Sequence, residues 1–146
     1  MNGLNYTTAP RRVERAAANL PQGGASPIFQ VSGGKCMVEI IGEVDTIIQS
    51  GENNMKLTAN PSVGADVDLC AQLDIDTDAV GTIYHLTGTL TDALVAATSG
   101  ASESQVSGII VAPGTIDLYC SGSKTGKVKW SLFYIPLEAG AVITTV

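Results

Sequence analysis

The chain has 146 residues, 45% of them apolar, enough for one domain with a real core, which excludes disorder as its main state. Eight basic against fourteen acidic side chains leave a net charge of -6, which excludes a basic nucleic-acid-binding domain. Only 15% of residues are charged, against roughly 25% in ordinary soluble domains, yet no apolar run approaches the ~18 residues of a membrane span, so neutral surface covered by other chains is the expectation.

In chain order, the first segment is residues 1–27. It holds Arg11, Arg12 and Arg15 with only Glu14 opposing them, a charge of +2, while residues 28–146 carry five lysines and thirteen acids, a charge of -8. No apolar core of about 7–15 residues marks a signal peptide in the first twenty positions, so synthesis in a reducing cytoplasm is expected. Pro10, Pro21, Pro27 and the pair Gly23-Gly24 break the segment up, and Ala16, Ala17 and Ala18 favour a short helix over 11–19. The reading is an N-terminal arm, extended or with that helix, which orders when it docks. Its arginine forks are candidates for gripping carboxylates on a partner.

From Ile28 onward apolar residues recur with period two, and residues 28–146 read as a single β-sandwich domain. Cys36, Val38 and Ile40 share one face, as do Met55, Leu57 and Ala59. The longest alternation is Asp66 to Asp76, with Val67, Leu69, Ala71, Leu73 and Ile75 opposite Asp66, Asp68, Cys70, Gln72, Asp74 and Asp76. It predicts one long half-buried strand that leaves the Cys70 thiol on the polar face, covered by another subunit. Ile116, Leu118 and Cys120 repeat the pattern. In Lys127 to Leu137, Val128, Trp130, Leu132 and Tyr134 form one apolar face and Phe133, Ile135 and Leu137 a second. A strand apolar on both faces is covered twice, so Phe133, Ile135 and Leu137 are the candidate subunit interface. Turn signals at Gly33-Gly34, Gly51 to Asn54, Asn60-Pro61, Pro113-Gly114 and Ser121 to Gly126 separate some eight to ten strands. The expected fold class is all-β, sandwich- or jelly-roll-like, with an extended N-terminal arm.

Chemistry is sparse. His85 is the only histidine, and no serine sits in a Gly-x-Ser-x-Gly elbow, so no catalytic residue is assigned and an enzyme is not expected. Asp74, Asp76 and Asp78 resemble the opening of a calcium loop and are the candidate metal ligands. Ala79 stands where that loop needs a glycine, however, and His85 where it needs a bidentate glutamate. The loop Gly122-Ser123-Lys124-Thr125-Gly126 lacks the phosphate-cradle spacing, and no cofactor is expected. Cys36, Cys70 and Cys120 are an odd set with no zinc spacing, which disfavours a disulfide scaffold.

Ala112-Pro113-Gly114-Thr115-Ile116-Asp117-Leu118-Tyr119-Cys120, then Thr125-Gly126-Lys127-Val128-Lys129-Trp130 and Tyr134-Ile135-Pro136-Leu137, resemble the C-terminal half of small virion proteins of tailed phages. Ile41-Gly42-Glu43-Val44, Lys56-Leu57-Thr58-Ala59-Asn60-Pro61 and Thr77-Asp78-Ala79-Val80-Gly81 resemble the same group. These are strands and their turns, and they cover most of 28–146; the arm has no counterpart. Within that group the resemblance implies a capsid cement (decoration) protein: a β-rich homotrimer on the outside of the head, assembled in the host cytoplasm, with the major capsid protein as partner. The alternatives are a phage tail- or fibre-associated β protein and a glycan-binding accessory module. The latter is poorly served by one Trp, four Tyr and two Phe.

Overall fold

A computed structural model of the chain describes residues 10–146. Twelve strands run in order: β1 Arg11–Asn19, β2 Gly24–Ser32, β3 Cys36–Thr46, β4 Asn54–Pro61, β5 Val67–Asp68, β6 Leu73–Asp74, β7 Ile83–His85, β8 Val95–Ala97, β9 Ile109–Val111, β10 Gly114–Cys120, β11 Lys127–Pro136 and β12 Val142–Thr145. No helix occurs among the described residues. The strands form two six-stranded antiparallel sheets, as the all-β sandwich expectation requires. The first has the order β1-β11-β3-β7-β8 with β9 also on β3, and the second has the order β12-β2-β10-β4-β5 with β6 also on β4. Consecutive strands therefore rarely pair, and the chain crosses between sheets at most connections.

The period-two faces of β3, β4, β10 and β11 point where their sequences place them. Cys36, Val38, Ile40, Met55, Leu57, Ile116, Leu118, Cys120, Val128, Trp130 and Leu132 all lie between the sheets, at 3% exposure or less. At the centre, Trp130 stacks on Tyr84 with ring centroids 6.3 Å apart and planes 24° apart. Gly42 lies beside Trp130 in the ladder, and a Cβ there would come within 2.7 Å of the indole. The glycine is what lets the largest side chain lie flat against its neighbouring strand.

Two expectations are corrected. Residues 11–19 are extended, but as a strand of the sandwich and with no helix: they form β1, laid antiparallel on β11 from Arg11 opposite Tyr134 to Asn19 opposite Lys127. The proposed boundary at residue 27 falls inside β2, and Val13 packs against the core. Nine residues are too few to hold a helix unaided, whereas the free edge of the ten-residue β11 offers a ladder of backbone partners. The part of the predicted arm before Pro10 lies outside the described residues.

The alternation from Asp66 to Asp76 is likewise not one strand. β5 pairs Thr58 and Ala59, β6 pairs Asn54 and Met55, and between them Lys56 and Leu57 stand opposite four residues, Leu69 to Gln72. The two extra residues bulge inward. Leu69 and Cys70 are both buried, while Val67 is 47% exposed. The Leu57 N–H donates to the Cys70 sulfur at 3.5 Å and the Leu69 N–H to the Leu57 carbonyl at 2.9 Å. Ala71 meanwhile forms a parallel bridge with Ala93, so its backbone bonds leave β4 altogether. The Cys70 thiol is thus covered by this chain's own core and not by a neighbour.

Candidate functional site

The outward faces of the two sheets differ. On the second sheet, Lys56 lies opposite Tyr119, Thr58 opposite Asp117 and Asn60 opposite Thr115. These polar groups satisfy one another. Lys56 pairs with Asp68 at 3.0 Å and lies 5.4 Å from the Tyr119 ring centre; Thr58 donates to Asp68, and Thr115 and Asn60 donate to Asp117. That face is suited to water.

On the first sheet the outward face divides in two. One half is a ladder of charges running Arg12–Glu14–Lys129–Glu43, with N–O separations of 3.2, 3.6 and 3.7 Å. Such exposed pairs contribute little stability, typically about 0–1 kcal/mol each. The other half is apolar. Phe133 and Ile135 point outward from β11 and are half-buried; Met37 lies opposite Ile135, and Ile110 opposite Met37. Met37 is 37% and Ile110 59% exposed. A cavity of about 220 Å³ opens here, with Pro10, Gly108 and Glu39 in its walls. Of the expected interface triad, Phe133 and Ile135 share this face. Leu137 lies beyond the end of β11, in the turn bonded to Lys35 and beside a different hollow that contains Arg11. Met37 and Ile110 were missed from the sequence, because nothing local shows that β3 and β9 continue the same apolar surface.

The three arginines do not form one patch. Successive strand residues face opposite ways, so Arg12 is outward with Glu14, whereas Arg11 and Arg15 point to the rim of the sandwich. Arg11 borders the 136–142 turn, and Arg15 borders Thr145 and Val146. The Arg15 Nε is buried with no hydrogen-bond partner, and burial lowers its pKa. A single clamp of three guanidinium groups on one partner carboxylate cluster is therefore not built; Arg11 and Arg12 remain accessible on an edge strand.

The three aspartates serve the backbone and a hydroxyl. Asp74 accepts from the Asn53 and Asp76 N–H groups at 3.0 and 3.1 Å, Asp76 accepts from the Gly51 N–H at 2.7 Å, and Asp78 accepts from the Tyr84 hydroxyl at 2.6 Å. Burial pushes the Asp78 carboxyl up, against the lowering effect of the Tyr84 bond. Among the described residues, no three His, Cys, Asp or Glu side chains gather as a metal site. The Asp74 and Asp76 carboxylates staple the 47–53 loop, whose Asn53 also accepts from the Gly122 N–H at 3.0 Å. That makes the Gly122–Gly126 stretch part of a stitched sandwich end. His85 is buried, with Nδ1 2.8 Å from the Leu86 carbonyl. Cys36, Cys70 and Cys120 are all buried free thiols; burial raises the pKa of each, that of Cys120 to about 12.

Neither a protein-family model nor a curated protein matches the chain. Among solved structures, that of the infectious bursal disease virus Gx strain aligns with 93% of this chain and 37% of its own length, at 11% identity and a TM-score of 0.23. A likeness at that level carries no argument about function.

Proposed function

We propose that the protein is a structural virion component that attaches to the outside of a tailed-phage capsid as a homotrimer and stabilises the head lattice, with the major capsid protein as its partner. The observation that carries this reading is the asymmetry of the two outward faces. On the second sheet the β4 and β10 strands meet water with polar side chains bonded to one another, whereas the first presents Phe133, Ile135, Met37 and Ile110 beside an edge strand bearing Arg11 and Arg12. A surface of that kind is suited to neighbouring protein. The resemblance of the strand-and-turn segments to tailed-phage virion proteins gives the setting. Attachment then runs through the edge strand β1 of a rigid sandwich, where Arg11 and Arg12 meet capsid carboxylates. Closed cyclic symmetry repeats each weak contact and multiplies it by avidity.

The test is immunogold labelling of particles of the phage whose genome encodes this chain. Gold on the head surface supports the cement role. Gold on the tail assigns the protein to the tail- or fibre-associated class, and particles without gold refute a virion role altogether.

A further inference from the structure

His85 stands on the outward face of the first sheet, because its strand neighbour Tyr84 points into the core against Trp130. The ladder sets it between Ile41 of β3 and Val95 of β8. An outward histidine ordinarily meets water, yet this one is only 7% exposed. The connection from β8 to β9 covers it: Ser102, Glu103, Ser104 and Val106 share with His85 and Val95 the walls of a hollow of about 250 Å³. The far end of that connection is fastened. Gln105 bonds to the backbone of β3, and the Val106 N–H donates to the Thr87 carbonyl at 3.0 Å. Residues 98–104, by contrast, have no hydrogen bond to any strand among the described residues.

Two groups in these walls lack a protein partner. A carbonyl can only accept, so the 2.8 Å contact with Leu86 puts the proton of the neutral ring on Nδ1 and leaves a lone pair on Nε2. Nε2 has no hydrogen bond among the described residues. Nor is it one of the sealed, unpartnered side-chain atoms, which are Arg15 Nε, Asn53 Nδ2, Thr82 Oγ1 and Trp130 Nε1. It therefore reaches the hollow. The Glu103 carboxylate likewise has neither an ion pair nor a hydrogen bond among the described residues. An imidazole whose Nδ1–H is held by a backbone carbonyl is fixed in tautomer and orientation, as metal-binding histidines are. The geometry points to this hollow as a site for one divalent transition-metal ion of the zinc class, with His85 Nε2 and the Glu103 carboxylate as protein ligands and water in the remaining positions. Imidazole nitrogen suits zinc, copper and nickel, whereas calcium and magnesium take oxygen ligands. The ion ties the unfastened 98–104 stretch to β7. A metal site here needs no virion setting.

Titration of the full chain with zinc, followed through the ring-proton NMR signals of His85, tests it. The assignment is unambiguous because His85 is the only histidine, and residues 1–9 hold no His, Cys, Asp or Glu. The expected result is one ion per chain by calorimetry, with the His85 signals displaced by zinc and left in place by calcium or magnesium. Glu103 is solvent-exposed, so Glu103→Gln should keep the metal-free urea midpoint while weakening zinc binding about tenfold or more. Zinc should raise the urea midpoint of the native chain and, at the same concentration, raise that of Glu103→Gln less. His85→Gln should abolish the effect; where that buried substitution unfolds the chain, the ring signals and Glu103→Gln still decide. His85 signals unmoved at about 1 mM zinc overturn the inference, and so does zinc taken up by the cysteines without displacing them. Zinc binding unchanged in Glu103→Gln overturns the two-ligand site, and equal displacement by calcium overturns the transition-metal class.

Discussion

Gln105 offers the sharpest check on the fold. Along one side of β3 the partner strand changes: β9 pairs with Cys36–Val38 and β7 with Ile41–Glu43. In the gap between them, the Gln105 carboxamide substitutes for a peptide group. Its Oε1 accepts from the Ile40 N–H at 3.3 Å, and its Nε2 donates to the Val38 carbonyl at 3.1 Å and to the Ser107 carbonyl at 2.8 Å. Val38 and Ile40 are wholly buried, so Gln105→Ala orphans one donor and one acceptor in the core. At about 1–3 kcal/mol for each buried group left unpaired, the loss should come to about 2–4 kcal/mol, allowing for water that follows the vacated side chain. Against a usual total of about 5–15 kcal/mol, that is a large shift. Urea unfolding followed by Trp130 fluorescence should show a lower midpoint at unchanged slope. Gln105→Glu keeps the shape but turns both donors into a carboxylate facing two carbonyls. It should be at least as damaging at neutral pH and recover in part in acid, where the protonated carboxyl donates once. A Gln105→Ala protein within about 0.5 kcal/mol of native, at the same slope, would refute the surrogate-strand account.

Three other perturbations bear on the core. Gly42→Ala drives a methyl into Trp130 and should cost about 1–3 kcal/mol with a changed indole emission spectrum; an unchanged spectrum and midpoint would show that the close approach is not needed. Asp78 is pushed up by burial, so the native state holds its proton longer than the unfolded chain does. Its contribution to stability is complete below the unfolded pKa of about 3.9 and is lost as pH rises through the higher native value. Asp78→Asn, which still accepts from Tyr84, should therefore unfold less readily than native at neutral pH and lose that advantage below pH ~4; a constant difference from pH 3 to 7 would contradict this. Finally, the thiols of Cys36, Cys70 and Cys120 are buried with raised pKa values and should resist a disulfide reagent in the native protein, yet all react in denaturant. Rapid native labelling of Cys70 would restore the long-strand reading of residues 66–76.

Alternation alone determined the core faces of β3, β4, β10 and β11, because a residue's face in a strand depends only on its parity and one side of each sheet is buried. It also located the double-sided character of β11. What parity could not decide was which strands would be neighbours. The fate of Asp66–Asp76 turned on β4 offering two short stretches of edge with a two-residue mismatch between them, which drew Cys70 inward against its own pattern. The arginine segment became β1 because β11, more than a hundred residues later, had an open edge. The outward apolar patch exists only because β11, β3 and β9 bring Phe133, Ile135, Met37 and Ile110 together. The low charge of the chain was legible from composition, but its division into a polar sheet and a half-apolar one was set by long-range pairing. Such pairing joins residues whose local sequences carry no mark of each other.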